Sequence, residues 1–121
     1  MNNNTVMIVS AHPDDAEMAM GGTLIRFAKS GARIFHLCLT RGDRGTYGTP
    51  ETRAAEFKNA CDFIDCEGLM LNFPDTQLED TVETRTAVTR QIRLWKPNII
   101  FAPYHTNNPT PIAAMISATG K

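Results

Sequence analysis

The 121-residue sequence lacks long apolar runs, an excess of charge of either sign and a disulfide-like cysteine pattern. Its 12 basic and 13 acidic residues nearly cancel, and a net charge of −1 argues against nucleic-acid binding. No apolar run approaches the ~20 residues that a membrane-spanning helix needs, and the N-terminus lacks the basic and apolar regions of a signal peptide. The three cysteines show no C-x-x-C spacing, which is typical of reduced thiols. These absences predict a cytoplasmic protein with no nucleic-acid partner and no membrane span.

What the sequence contains fits one α/β domain spanning residues 1–121, since its length and its 42% hydrophobic content are those of an ordinary globular domain. Apolar, β-rich segments alternate with amphipathic ones. Residues 5–10 predict a strand buried on both faces, and residues 81–95 predict the clearest helix. The remaining predictions are helices at 21–30 and 52–66 and strands at 32–39, 69–73 and 98–102. This alternation predicts a parallel sheet with helices on its faces.

The predicted sheet localises function before any motif is considered. In open parallel sheets, ligands bind beyond the carboxyl ends of the strands. Here those ends are followed by the segments 10–17, 40–50, 74–78 and 103–108, where the polar and special residues are concentrated. We therefore expect the functional site at that edge.

The segment after the first strand combines one imidazole with three carboxylates, in His12, Asp14, Asp15 and Glu17. Acidic groups this close repel one another unless a cation compensates them. Imidazole with carboxylate suits Zn²⁺, which in catalytic sites keeps one position open for water. With His12 as a ligand, one acid would coordinate and another would accept a proton from water, and the spacing does not say which. Alternatively, Asp14 or Asp15 is only a helix N-cap, which would explain one acid but not the cluster.

Residues 11–17, followed by Gly21-Gly22-Thr23, resemble the signature of the LmbE-like (PIG-L) N-acetylglucosaminyl deacetylases. Further segments resemble the same family in order along the chain, at 40–49, 53–56, 71–75 and 96–104. The resemblance implies a Rossmann-like parallel sheet with helices on both faces, of which this chain is the N-terminal part. It also implies a zinc-dependent hydrolase that removes an acetyl group from an N-acetylated amino sugar.

The resemblance assigns roles to individual residues. It makes His12 and Asp15 zinc ligands and Asp14 the general base. Arg53 would contact the substrate, unless it is a surface cation of its helix. Asp75 would hydrogen-bond a sugar hydroxyl, unless it only caps a turn. Fe²⁺, Mn²⁺ or Co²⁺ can also occupy a site of this kind.

The sequence departs from the family at the third zinc ligand. The family's His-Pro-Asp-His motif is absent, and His105-Thr106-Asn107-Asn108 stands in its region. Either His105 replaces that ligand, or the sequence is truncated or frame-shifted after Asn108, so that the domain is incomplete at its carboxyl-terminal side. The alternative function is therefore a non-catalytic metal-binding Rossmann-like fragment lacking the third ligand. An open sheet edge would also allow a homo-oligomer.

Two further expectations concern residues away from the acids. We expect His36, inside the second strand, to be a packing residue, and the cysteines to be small core residues. We expect Gly21 and Gly22 to let the backbone pack closely under the site.

Overall fold

The structure, a computed structural model, describes residues 4–11, 15–40, 49–73 and 81–102, and for residues 15–21 and Pro50 it describes the backbone alone. Within these ranges the chain forms four strands and three helices. The strands are β1 (Thr5–Ser10), β2 (Arg33–Thr40), β3 (Glu67–Phe73) and β4 (Ile99–Phe101). The helices are α1 (Asp15–Lys29), α2 (Pro50–Ile64) and α3 (Val82–Trp95). None of these helices combines the length and apolar character that crossing a bilayer requires.

The strands form one parallel sheet in the order β3-β2-β1-β4. β1 lies inside the sheet, with β2 on one side and β4 on the other. The chain first moves outward from β1 through β2 to β3 and then returns to the opposite side of β1. Strand order therefore reverses between β1 and β4, which makes this the switch point where parallel sheets bind ligands. The predicted α/β class with a parallel sheet is confirmed.

Alternate strand residues pack against helices on opposite faces of the sheet, as the two-residue period of a strand requires. On one face, Met7, Val9, Leu37 and Leu39 contact Val88 and Ile92 of α3. On the other, Val6, Ile8 and Ile34 contact Leu24 of α1 and Ile64 of α2. β1 and β2 carry apolar residues on both faces because helices cover both, which confirms the helices on both faces.

Local capping explains where α2 and α3 begin. Thr49 precedes α2, and its side chain accepts a hydrogen bond from the Thr52 backbone N–H at 3.1 Å. Thr81 precedes α3 and exchanges hydrogen bonds with Thr84 in a capping box. These bonds satisfy backbone donors that a helix start leaves without intrahelical partners.

Helix α1 begins at Asp15, earlier than the start predicted near residue 21, so that prediction was wrong. Gly21 and Gly22 lie inside this helix, where a glycine costs only about 1 kcal/mol relative to alanine. Burial of the apolar face, with Leu24 only 1% exposed, favours a continuous helix. The close packing expected at Gly22 is also wrong, because a Cβ there would meet no atom of the described residues within 4 Å.

Candidate metal centre

The His12–Asp15 segment connects β1 to α1 at the switch point of the sheet. Ala11, directly before it, is described, and Asp15 is the first residue of α1. His12 and Asp14 lie outside the described residues, as does the side chain of Asp15. A helix N-terminus favours negative charge nearby, so the start of α1 is a suitable position for a carboxylate.

The other candidate residues also come after the carboxyl ends of strands in the sequence. Arg53 is half-buried in the first turn of α2, where its backbone N–H donates to the Thr49 carbonyl oxygen at 3.0 Å. Asp75 and His105 lie outside the described residues. They follow β3 and β4, which end at Phe73 and Phe101. Because the strands are parallel, the segments that carry these candidates all follow strand ends at one edge of the sheet.

The carbonyl oxygen of Ala11 accepts two hydrogen bonds from Thr40, the last residue of β2. The Thr40 hydroxyl donates at 2.7 Å and the Thr40 backbone N–H donates at 3.1 Å. Thr40 is fully buried. The backbone immediately before His12 is therefore attached to an interior strand of the sheet.

A second polar contact joins β1 and β2 nearby. A hydrogen bond of 2.7 Å links Ser10 Oγ to His36 Nε2, and both residues are buried. The His36 ring also packs against Phe57 of α2, with 4.9 Å between ring centroids. His36 is thus a packing residue, as predicted, but it has a polar partner that the sequence did not reveal.

The sequence contained a signal for these contacts. His36, Cys38 and Thr40 occupy alternate positions of β2, and Ser10 ends β1. Polar residues at alternate positions of an otherwise apolar strand share one face, and buried polar groups are normally hydrogen-bonded. Pairing Ser10 with His36 and Thr40 with Ala11 required the sheet register, which the sequence pattern does not supply.

The described residues contain no other candidate for a metal centre. Among them, no group of three or more histidine, cysteine, aspartate or glutamate residues could hold a metal ion. Cys38 and Cys61 are buried, form no disulfide and pack in an apolar cluster with Phe57, as predicted for core residues. By donor chemistry, the imidazole and carboxylates of His12, Asp14 and Asp15 do fit Zn²⁺ or a similar divalent ion.

Comparison with known proteins identifies the family. The PIG-L family model, described as GlcNAc-PI de-N-acetylase, matches residues 7–111. The chain belongs to the PIG-L family. The matched region includes the His12–Asp15 segment, so the resemblance carried by that motif is confirmed.

PIG-L relatives and solved structures agree with this assignment. Diacetylchitobiose deacetylase of Thermococcus kodakarensis is 30% identical over 106 residues, covering 81% of this chain and 40% of the relative. A conserved protein of Thermus thermophilus is 35% identical with a TM-score of 0.82, covering 96% of this chain and 55% of that one. The inhibitor-bound N,N'-diacetylchitobiose deacetylase of Pyrococcus horikoshii shares the fold, with 23% identity and a TM-score of 0.84. The match covers 98% of this chain and 49% of that one. The chain spans about half the length of these proteins.

Proposed function

We propose that this chain carries the metal-binding motif of a zinc-dependent hydrolase that removes an acetyl group from an N-acetylated amino sugar. The observation that carries the proposal is the place of the His12–Asp15 segment, which follows β1 at the switch point in a chain of the PIG-L family. The relative from Thermococcus kodakarensis is a deacetylase of diacetylchitobiose, which supports this substrate class. We propose that residues 1–121 belong to a single LmbE-like deacetylase domain. We also propose a cytoplasmic location, because cysteines without disulfide bonds are typical of that compartment.

In this proposal His12 and Asp15 hold the ion, because imidazole and carboxylate are ligands that zinc prefers. When bound, zinc polarises the acetyl carbonyl and lowers the pKa of water at the site. A different divalent ion would use the same ligands.

Asp14 is the general base of the proposed reaction. Its carboxylate accepts a proton from water as the water oxygen forms a bond to the acetyl carbonyl carbon. Asp14 then returns that proton to the amide nitrogen as the carbon–nitrogen bond breaks. The products are acetate and the free amino sugar, so the proton from water ends on the leaving amine.

Arg53 and Asp75 would orient the sugar. The Arg53 guanidinium offers several fixed N–H donors that can reach sugar oxygens. Asp75 would accept hydrogen bonds from sugar hydroxyls. Supporting this, Arg53 lies in the first turn of α2, and Asp75 comes two residues after the end of β3 in the sequence.

Elemental analysis together with acetate release from N-acetylglucosaminides tests the proposal. We expect stoichiometric metal in the purified protein and its loss in His12→Ala and Asp15→Ala. Asp14→Asn should retain the metal but lower the turnover by about 100-fold or more, since general bases contribute about 10²–10⁴-fold. Asp62→Asn is the matched control, because Asp62 is an exposed carboxylate of α2 paired with Lys58 at 3.2 Å. That control should change neither the metal content nor the rate of acetate release.

The same measurements separate the alternative function. Metal without acetate release would favour a non-catalytic metal-binding fragment, which the absence of the His-Pro-Asp-His motif also favours. Absence of both metal and acetate release would contradict both functions. Binding of iron, manganese or cobalt in place of zinc would correct the identity of the ion only.

In one of the two alternatives that the sequence leaves open, His105 replaces the missing third ligand. It follows β4, which pairs with β1 so that Phe101 lies opposite Ile8. His105→Ala should weaken zinc binding if this assignment is correct. Unchanged zinc affinity would show that another residue, or none, completes the site.

We also propose that the chain forms a homo-oligomer. Within the described sheet, β3 and β4 are the outer strands, and unpaired strand edges favour association. Light scattering at several concentrations should detect a dimer or larger species, and a monomer throughout would contradict this.

A further inference from the structure

Two hydrogen bonds join Thr40 to the carbonyl oxygen of Ala11, the residue before His12. Thr40 directs both its hydroxyl, at 2.7 Å, and its backbone N–H, at 3.1 Å, to the Ala11 carbonyl oxygen. Thr40 has no exposed surface, and β2 is paired on both of its sides, with β1 and with β3. The donor is therefore part of the interior of the sheet.

We propose that Thr40 is a positioning residue for the metal centre, and this inference rests on the proposed function of His12 as a ligand. The peptide unit is planar, so the Ala11 carbonyl group lies in one plane with the nitrogen and Cα of the following residue. Two hydrogen bonds to that carbonyl oxygen thus restrict the rotation of the peptide from which His12 extends. Thr40 thereby sets the direction in which the backbone leaves β1.

The hydroxyl is the part of Thr40 that this role requires. The backbone N–H at this position would remain with any residue except proline. The hydroxyl donates at 2.7 Å, whereas the Cys38 thiol, the other side chain that donates to this oxygen, is a weak donor at 3.8 Å. Without the hydroxyl, the Thr40 N–H would be the one strong donor of these three, and the carbonyl would be fixed in fewer directions. Residues that orient metal ligands affect affinity strongly, and their replacement typically weakens metal binding by about 10–100-fold.

The first experiment measures zinc affinity by competition with a chromophoric chelator. Thr40→Val removes the hydroxyl while preserving shape and the backbone N–H, and we expect the zinc Kd to rise about tenfold. Thr40→Ser restores a hydroxyl and should return the Kd to within about threefold of the original protein, since the donor is again present.

Asn98→Ala is the matched control. Its side-chain Oδ1 accepts a hydrogen bond of 2.8 Å from the Thr5 backbone N–H. Asn98 thus holds the first residue of β1 through one side chain-to-backbone bond, while Thr40 acts just beyond the last residue. Asn98→Ala should leave the zinc Kd unchanged, and an equal loss in both variants would show a general loss of stability and overturn the proposal.

A second measurement does not depend on the metal. Hydrogen exchange in the zinc-free protein should be faster in a peptide covering residues 10–15 for Thr40→Val than for the unmodified chain or Asn98→Ala. Unchanged exchange in Thr40→Val would overturn the proposal even if zinc binding fell. If the unmodified chain binds no zinc, the proposed function fails, and the exchange result alone decides whether Thr40 restrains this segment.

Discussion

The buried strand residues that face α3 are all apolar, whereas those that face α1 and α2 become polar toward the carboxyl ends of β1 and β2. Facing α3 are Met7, Val9, Leu37 and Leu39. The opposite face starts with Val6, Ile8 and Ile34 and ends with Ser10, His36 and Thr40.

The two faces of the sheet therefore differ in what their buried residues contribute. Burying a polar group is unfavourable unless it is hydrogen-bonded, and the polar residues here are bonded to one another or to the backbone before His12. The face toward α3 contributes stability through apolar packing. The opposite face combines such packing with polar contacts at the end nearest the candidate metal centre.

Ile92→Ala should have the largest effect on stability, because Ile92 is 3% exposed and packs against the apolar face. Large-to-small changes of this kind lower the free energy of unfolding by about 2–5 kcal/mol. Urea unfolding measures this, with Ile92→Val as the milder control at about 0.5–1.5 kcal/mol. Zinc affinity of the folded variant should not change. A weaker zinc site would show that the two faces are not separate.

A double-mutant cycle of Ser10→Ala and His36→Leu tests the polar face directly. The 2.7 Å bond between these buried side chains predicts a coupling free energy of about 1 kcal/mol in unfolding experiments. Ser10→Ala combined with Ile92→Val, on the other face, should be additive to within about 0.5 kcal/mol. Additivity in the first cycle would mean that the Ser10–His36 contact contributes nothing to stability.

Gly22→Ala should have the smallest effect on the free energy of unfolding, and it should raise that free energy instead of lowering it. A Cβ at Gly22 meets no described atom within 4 Å, and alanine is favoured over glycine inside a helix, so unfolding should require about 0.5–1 kcal/mol more.

Gly68→Ala is the control on the same side of the sheet, where Gly68 pairs with His36. Its Cβ would lie 2.6 Å from Cys61 Sγ and 2.6 Å from the Phe57 ring, which predicts a loss of about 1–3 kcal/mol. Thermal unfolding of both variants should show shifts of opposite sign. A loss of stability in Gly22→Ala would mean that the described helix face is in contact after all.

Much of the fold could be predicted from the pattern of apolar residues. The strand at β1 and the end of α3 at Trp95 agree with the expected bounds, since each element has a clear period and a clear end signal. The start of α1 could not be predicted in this way. The helical spacing of apolar residues was evident only from residue 21 onward, whereas the helix begins at Asp15.

The candidate site was predictable in a different sense. His12, Asp14 and Asp15 are adjacent in sequence, so their chemistry is evident without a structure. Their individual roles, and those of Arg53 and Asp75, remain predictions. The supporting contacts could not be predicted from adjacency in the sequence. Ser10 and His36 are 26 residues apart, and Ala11 and Thr40 are 29 residues apart.

The amino-acid sequence alone therefore determined the order of strands and helices and the acidic, histidine-containing segment after β1, because both depend on neighbours along the chain. Only the tertiary structure decided that Thr40 holds the Ala11 carbonyl and that Ser10 bonds His36. The physical reason is strand register: pairing β1 with β2 brings distant residues into contact, and a shift of one residue would move each side chain to the other face of the sheet.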